Sequence, residues 1–198
     1  MKARRFLATA AALAVLAAGG CSSDDDNPLT LVIPGIDAES GSVWQDGVVF
    51  GDVAAAGDSV GSNLGIRGFV SFDITTIPAG ARIVAAALDL SNYTIRPPEQ
   101  DPFLPPNPLG NFQVFAQNVG ALDGADYNAA TYAVLYNAAA GGLALGSIDA
   151  TAALAGARTS GFTRFAVRLQ FATQTNGDGI AQLARFDDAR ARLVVEYE

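Results

Sequence analysis

Two runs between Gly68 and Leu90 carry an apolar side chain at every second position, and that period limits the folds open to this chain. In the first run, Val70, Phe72 and Ile74 alternate with Ser71 and Asp73. Side chains of an extended strand point to opposite faces in turn, so the pattern buries one face and wets the other. Pro78, Ala79 and Gly80 then break the run. Proline presets one turn dihedral and glycine admits a positive one, so the chain turns here. The second run, Ile83 to Leu90, sets Val84, Ala86, Leu88 and Leu90 on one face. Half-buried strands need a second layer over their apolar face. The predicted fold is all-β: a jelly-roll-like antiparallel β-sandwich with one or two short helical turns.

Composition narrows the chemistry. The chain's 198 residues suffice for one domain with a sizeable core. Its net charge is -8. Without Lys2, Arg4 and Arg5, in a segment read below as removed, 9 of the 12 basic residues remain against 20 acidic ones, a net charge of -11. Such a surface repels phosphate backbones and excludes nucleic acid as a partner. There is no histidine and only one cysteine. The commonest general base, an intrachain disulfide and a multi-cysteine metal site are therefore all ruled out. No Gly-x-Ser-x-Gly and no phosphate loop occurs either, and the chain reads as non-catalytic, with no cofactor and no metal.

Residues 1–20 read as an export signal. Lys2, Arg4 and Arg5 precede an apolar stretch, Phe6 to Ala18, that is too short for a stable bilayer span. Ala18-Gly19-Gly20-Cys21 then resembles a bacterial lipobox, with alanine where leucine is usual. That resemblance implies a lipoprotein: cleavage before Cys21, acyl chains such as palmitate on Cys21, and a lipid bilayer as partner. The alternative is an ordinary secretory signal with an incidental cysteine. Residues 21–37 are expected to form an acidic, flexible tether, with SSDDDNP at its start. Ser22 rather than aspartate follows the cysteine, which favours the outer membrane or cell surface. The sandwich is expected over residues 38–198.

Within it, Leu31 to Ile33 is a short apolar run, and Asp46-Gly47 marks a hairpin inside Ser42 to Phe50, which also holds the sole Trp44. Ala54 to Gly65 reads as loop. Phe112 to Val119, Leu143 to Ile148, Phe162 to Phe171, Ile180 to Phe186 and Arg192 to Tyr197 read as strands. Asp149 is the expected cap, and Gly156 the expected stop, of a helical turn. Asn176-Gly177-Asp178 reads as a turn; its oxygens are too few for a calcium site.

Two segments carry the candidate ligand contacts. Residues 97–108, with Arg96 before them, contain six prolines and predict a long, stiff loop of polyproline character. Phe103 within it is either displayed as a recognition element or tucked onto the sandwich as a cover. Leu122 to Tyr136 holds Tyr127, Tyr132 and Tyr136, with a short helix or irregular turn near Asp126. The three rings form a sugar-stacking platform on one reading, and half-buried residues with satisfied hydroxyls on the other.

The run RGFVSFDI (Arg67 to Ile74), then IPAGA (Ile77 to Ala81), then AAALDL (Ala85 to Leu90) resembles the opening block of DNRLRE-type domains, the disaggregatase-related β-sandwich modules. Downstream, IDATAAL (Ile148 to Leu154), the strand from Gly161 to Leu169, and RARLVVEY (Arg190 to Tyr197) look like later blocks of that family, in the same order. The proline run resembles an insertion. The resemblance implies a jelly-roll-like sandwich and carbohydrate binding, since some members are carbohydrate-binding modules, including alginate-binding ones. A net charge of -11 opposes binding of a polyanion unless arginines such as Arg67, Arg96 or Arg168 gather in one cleft. The expected function is a non-catalytic surface lipoprotein that binds polysaccharide through Tyr127, Tyr132, Tyr136, Arg96 and Phe103. The alternative is a structural or assembly protein that contacts another envelope or matrix protein.

Overall fold

The structure is a computed structural model and describes residues 27–51, 53–139, 143–187 and 190–198. The signal segment, Cys21 and the acidic run to Asp26 lie outside the described residues. In chain order the strands are β1 (Leu29–Pro34), β2 (Gly41–Trp44), β3 (Val49–Phe50), β4 (Ala54–Asp58), β5 (Gly65–Asp73), β6 (Ile83–Asp89) and β7 (Tyr93–Arg96). After the proline segment come β8 (Phe112–Gln117), β9 (Thr131–Ala138), β10 (Ile148–Asp149), β11 (Arg164–Phe171), β12 (Gln182–Phe186) and β13 (Arg192–Tyr197). One α-helix, α1 (Thr151–Thr159), precedes β11, and short 3-10 turns cover Asp37–Glu39, Ile74–Thr76 and Gly124–Asn128.

Among the described residues every strand pair is antiparallel. The smaller sheet has the order β1-β13-β6-β10; the larger runs β7-β12-β4-β5-β11-β8-β9, with β2 also on β5 and carrying β3. The fold is the expected all-β sandwich. Its first strand, β1, pairs with β13 from Leu29↔Tyr197 to Pro34↔Arg192, so the sheet starts inside the stretch read as tether. One apolar cluster joins the layers: Phe72, Phe165, Val167 and Leu169 from the larger sheet meet Leu88, Leu193 and Val195 from the smaller. All seven are fully buried. Each such side chain stabilises the fold by roughly 1.5–3 kcal/mol over its exposed state, which makes this alternation the main determinant of the architecture.

The structure corrects several sequence expectations, each for a local reason. Ala54 to Asp58 is not loop but the buried strand β4. Its small residues let backbones close in: a Cβ on Gly68 would lie 3.0 Å from the Ala55 nitrogen. On β6, Glu196↔Ala85 is followed by Tyr197↔Ile83, so Val84 is the extra residue of a bulge. Ile83 rather than Val84 therefore packs on the core. The helix passes Gly156, which faces solvent, and ends before Gly161, whose φ is +76°. Asp149 accepts the Thr151 N–H at 2.9 Å, one position earlier than the cap proper, Ala150. Of Leu143 to Ile148, only Ile148 lies in a strand.

The proline segment is not an extended rod. Its N–H groups at Gln100, Leu104, Asn107 and Gly110 each donate to the carbonyl three residues back, a chain of tight turns. This coil seats Phe103 in the core, 3% exposed, among Tyr93, Phe112 and Phe171. The cover reading of Phe103 is the one realised; Leu104 beside it is 56% exposed.

Candidate functional site

The Asp46-Gly47 hairpin builds one wall of a cleft. The Asp46 carboxylate accepts the Val48 N–H at 3.2 Å, and the Trp44 N–H donates to the Val48 carbonyl at 2.9 Å. This tight reversal lays the Phe50 ring beside Trp44, with centroids 5.1 Å apart and planes tilted by 39°. Ser42 fixes the wall to β4: its hydroxyl donates to the Val53 carbonyl and accepts the Ala55 N–H at 2.8 Å.

The facing wall comes from register. Arg185 on β12 stands opposite Ala55 on β4 and Thr94 on β7, while Leu183 stands opposite Arg96. Directly opposed residues share a face, and so do residues two apart on a strand. Arg96, Leu183, Arg185 and Ala55 therefore share the outer face, and Ala184 and Phe186 face the core. Between the walls lies a hollow of about 250 Å³ over Ile66, lined by Trp44 and Phe50 on one side and Arg96 and Arg185 on the other. A second hollow of about 360 Å³ shares Val53 and Arg185 with it and reaches Ser91, Asn92, Tyr93 and Arg190. Arg190 is held by Asp187 at 3.0 Å, but neither Arg96 nor Arg185 forms an ion pair with a described Asp or Glu. Burial and the charge of Asp101 push the Tyr93 phenol above its ordinary range. The arrangement offers two aromatic faces and two unpaired guanidinium forks across a shallow trough.

Of the residues expected at a site, Arg96 alone is in this cleft. Phe103 is core. Tyr127 is 2% exposed beneath Arg67. Tyr132, 43% exposed, faces outward from β9, and desolvation pushes its phenol up to about 12. Tyr136 packs against the core, and its hydroxyl accepts the Ala144 N–H at 3.0 Å. The three tyrosines do not form one platform, because β9 is a strand whose register slips twice against β8. The slips leave Tyr132 and Leu135 as extra residues, and they turn Tyr136 to the face opposite Tyr132. Trp44, Phe50 and Arg185 were not assigned from sequence. The signal for the first two was the Asp-Gly hairpin that holds them; none marked Arg185, whose role depends on cross-strand register.

Around the Asn-Gly turn, Asp178 accepts the Ile180 N–H at 2.7 Å and the Asn176 side-chain amide at 2.8 Å. Asp58, fully buried beside it, accepts the Gln182 N–H at 3.0 Å, and burial raises its carboxyl. These carboxylates serve the loop's own donors. Among the described residues no three His, Cys, Asp or Glu stand together as a metal site, and no helix is long and apolar enough to cross a membrane.

The sequence matches no family model and no curated protein.

Proposed function

We propose that this chain is a lipid-anchored, non-catalytic β-sandwich module of the bacterial outer membrane or cell surface, related to DNRLRE-type domains, that binds carbohydrate. The observation that carries the binding reading is the Trp44–Phe50 pair facing Arg96 and Arg185 across a shallow hollow. An aromatic face packs on the apolar face of a pyranose, and guanidinium forks bind its hydroxyls or acid groups. The anchor rests on the lipobox-like Ala18-Gly19-Gly20-Cys21, and the non-catalytic role on the missing histidine.

A glycan array combined with polysaccharide pull-down tests the reading. Wild-type protein is expected to bind, Trp44→Ala and Arg185→Ala each to weaken binding at least tenfold, and Tyr132→Ala to leave it unchanged. Tenfold corresponds to about 1.4 kcal/mol, within the range of a central aromatic or arginine contact. Binding that ignores both cleft substitutions would move the site elsewhere. No binding by folded protein would favour protein–protein contact, for which the observation is β9: an edge strand with Tyr132 and Val134 exposed and no charged side chain.

A further inference from the structure

Among the described residues three arginines pair with acids. Arg164 is held by Glu39 and Asp73, Arg82 by Glu198, and Arg190 by Asp187. Other described arginines lack an acid, but Arg67 and Arg168 lack one where it costs most, with their Nε atoms buried. They lie on the face of the larger sheet that turns away from the sandwich core. Arg168 stands opposite Phe69, and Arg67 is two residues from Phe69 on β5. The two are thus diagonal neighbours, with Cα atoms about 7–8 Å apart. Phe69, Val43, Ala166 and Tyr127 form the small apolar cluster around them.

Arg168 is only 8% exposed. Its Nη1 donates to the Ala129 carbonyl at 2.9 Å, and Arg67 Nη1 donates to the Tyr127 carbonyl. The Arg67 guanidinium sits 4.1 Å above the Tyr127 ring centroid, and that of Arg168 lies 5.3 Å from Phe115. No described Asp or Glu pairs with either. The Nε atoms of both are buried without a partner, as are the Tyr127 hydroxyl and Gln117 Oε1. A guanidinium carries five donors and cannot be neutralised at physiological pH. Arg168 buried and Arg67 half-buried, with one carbonyl bond apiece, leave charge and donors uncompensated. In keeping with this, burial pulls both below the ordinary arginine range, Arg168 to about 10 with the Arg67 charge adding to the effect.

We propose that Arg67 and Arg168 together form a binding site for a small oxyanion, a carboxylate or a phosphate-like group. Both guanidinium forks match the geometry of such a group, and the anion supplies the countercharge that the surrounding protein withholds. The site is separate from the cleft: Trp44 and Ile66 face the cleft, while their chain neighbours Val43 and Arg67 face the opposite way. It does not rest on the carbohydrate reading.

Thermal unfolding and calorimetric titration at constant ionic strength test it, with chloride replaced by inorganic phosphate in one arm and by acetate in the other. A ligand that binds only the native state raises the melting temperature along a saturable curve. Wild-type protein is expected to show such a curve in at least one arm. Arg168→Met and Arg67→Met, which keep the side-chain volume and remove the charge, should each weaken the anion at least tenfold. Arg192→Met, exposed on β13, should not. A response to acetate alone assigns the site to carboxylates, and one to phosphate alone to tetrahedral anions. No saturable response in either arm, or an unchanged response in Arg67→Met and Arg168→Met, overturns the proposal. Arg67→Met serves alone if Arg168→Met does not fold.

Discussion

An alanine Cβ at position 57 would stand 1.8 Å from the Gln182 carbonyl oxygen and 3.1 Å from the Leu183 Cα. Both neighbours are backbone of β12, hydrogen-bonded to β4 in the register Gly57↔Leu183. They cannot rotate away as a side chain can. The φ of Gly57 is +144°, which adds a conformational cost for any L side chain. Gly57→Ala is therefore expected to destabilise by about 3 kcal/mol or more, at the upper end for overpacking. Urea unfolding checks this. Gly156→Ala is the control: exposed within α1, with nothing within 4 Å of the added carbon, it should leave stability unchanged or raise it slightly. A loss below about 1 kcal/mol in Gly57→Ala would mean that β4 and β12 are less closely apposed than described.

At the level of the element, the proline segment decides between two readings of Phe103. Read as sequence, its six prolines suggest a stiff loop that either displays Phe103 or tucks it onto the sandwich; folded, successive turns bring Phe103 into an aromatic group whose centroids lie 5.2 to 5.4 Å away. Phe103→Ala should cost about 3–5 kcal/mol, as for a phenylalanine deleted from a core, whereas Leu104→Ala next to it should cost little. Equal, small effects in a denaturant series would show that the segment is not part of the core. The same contrast explains what was legible beforehand. Strands β5, β8, β11 and β13 announce themselves because Phe, Val and Leu alternate with polar residues. In β4, Ala-Ala-Ala-Gly has no apolar contrast to read, though Ala54 and Ala56 are fully buried. In β9 the pattern is present but slips at Tyr132 and Leu135, so the face of Tyr136 could be known only from pairing with β8. The cleft was legible by half. The hairpin around Trp44 carries a turn signal, while Arg185 meets it only through the β4–β12 pairing across more than a hundred residues.

On the scale of the whole molecule, the smaller sheet separates the start of the fold from the cleft. Leu29, Tyr197 and Ile83 lie at one end of it, and Pro34, Arg192 and Asp89 at the other. At about 3.3 Å per residue these ends are roughly 20 Å apart. Ser91, Asn92 and Arg190, which line the larger hollow, continue from the second end. Seven residues, 22–28, separate Cys21 from Leu29, a reach of about 28 Å at full extension. With the proposed anchor on Cys21, the Leu29 end is expected nearer the bilayer and the hollow turned toward bulk solvent. The proposed acylation would consume the only thiol of the chain, so single introduced cysteines would report position without background. Ala79→Cys, exposed in the turn at the Leu29 end, and Asn92→Cys, exposed at the hollow, make the pair. With the lipidated protein inserted into preformed vesicles, a bulky maleimide should modify position 92 at the same rate before and after detergent. Position 79 should be slow until detergent removes the bilayer. Equal acceleration at both would mean that the sandwich lies flat on the membrane, and no acceleration at either that the tether holds it clear. The predicted asymmetry, or a sandwich held clear, leaves the cleft open to a polymer approaching from outside; a sandwich lying flat closes it.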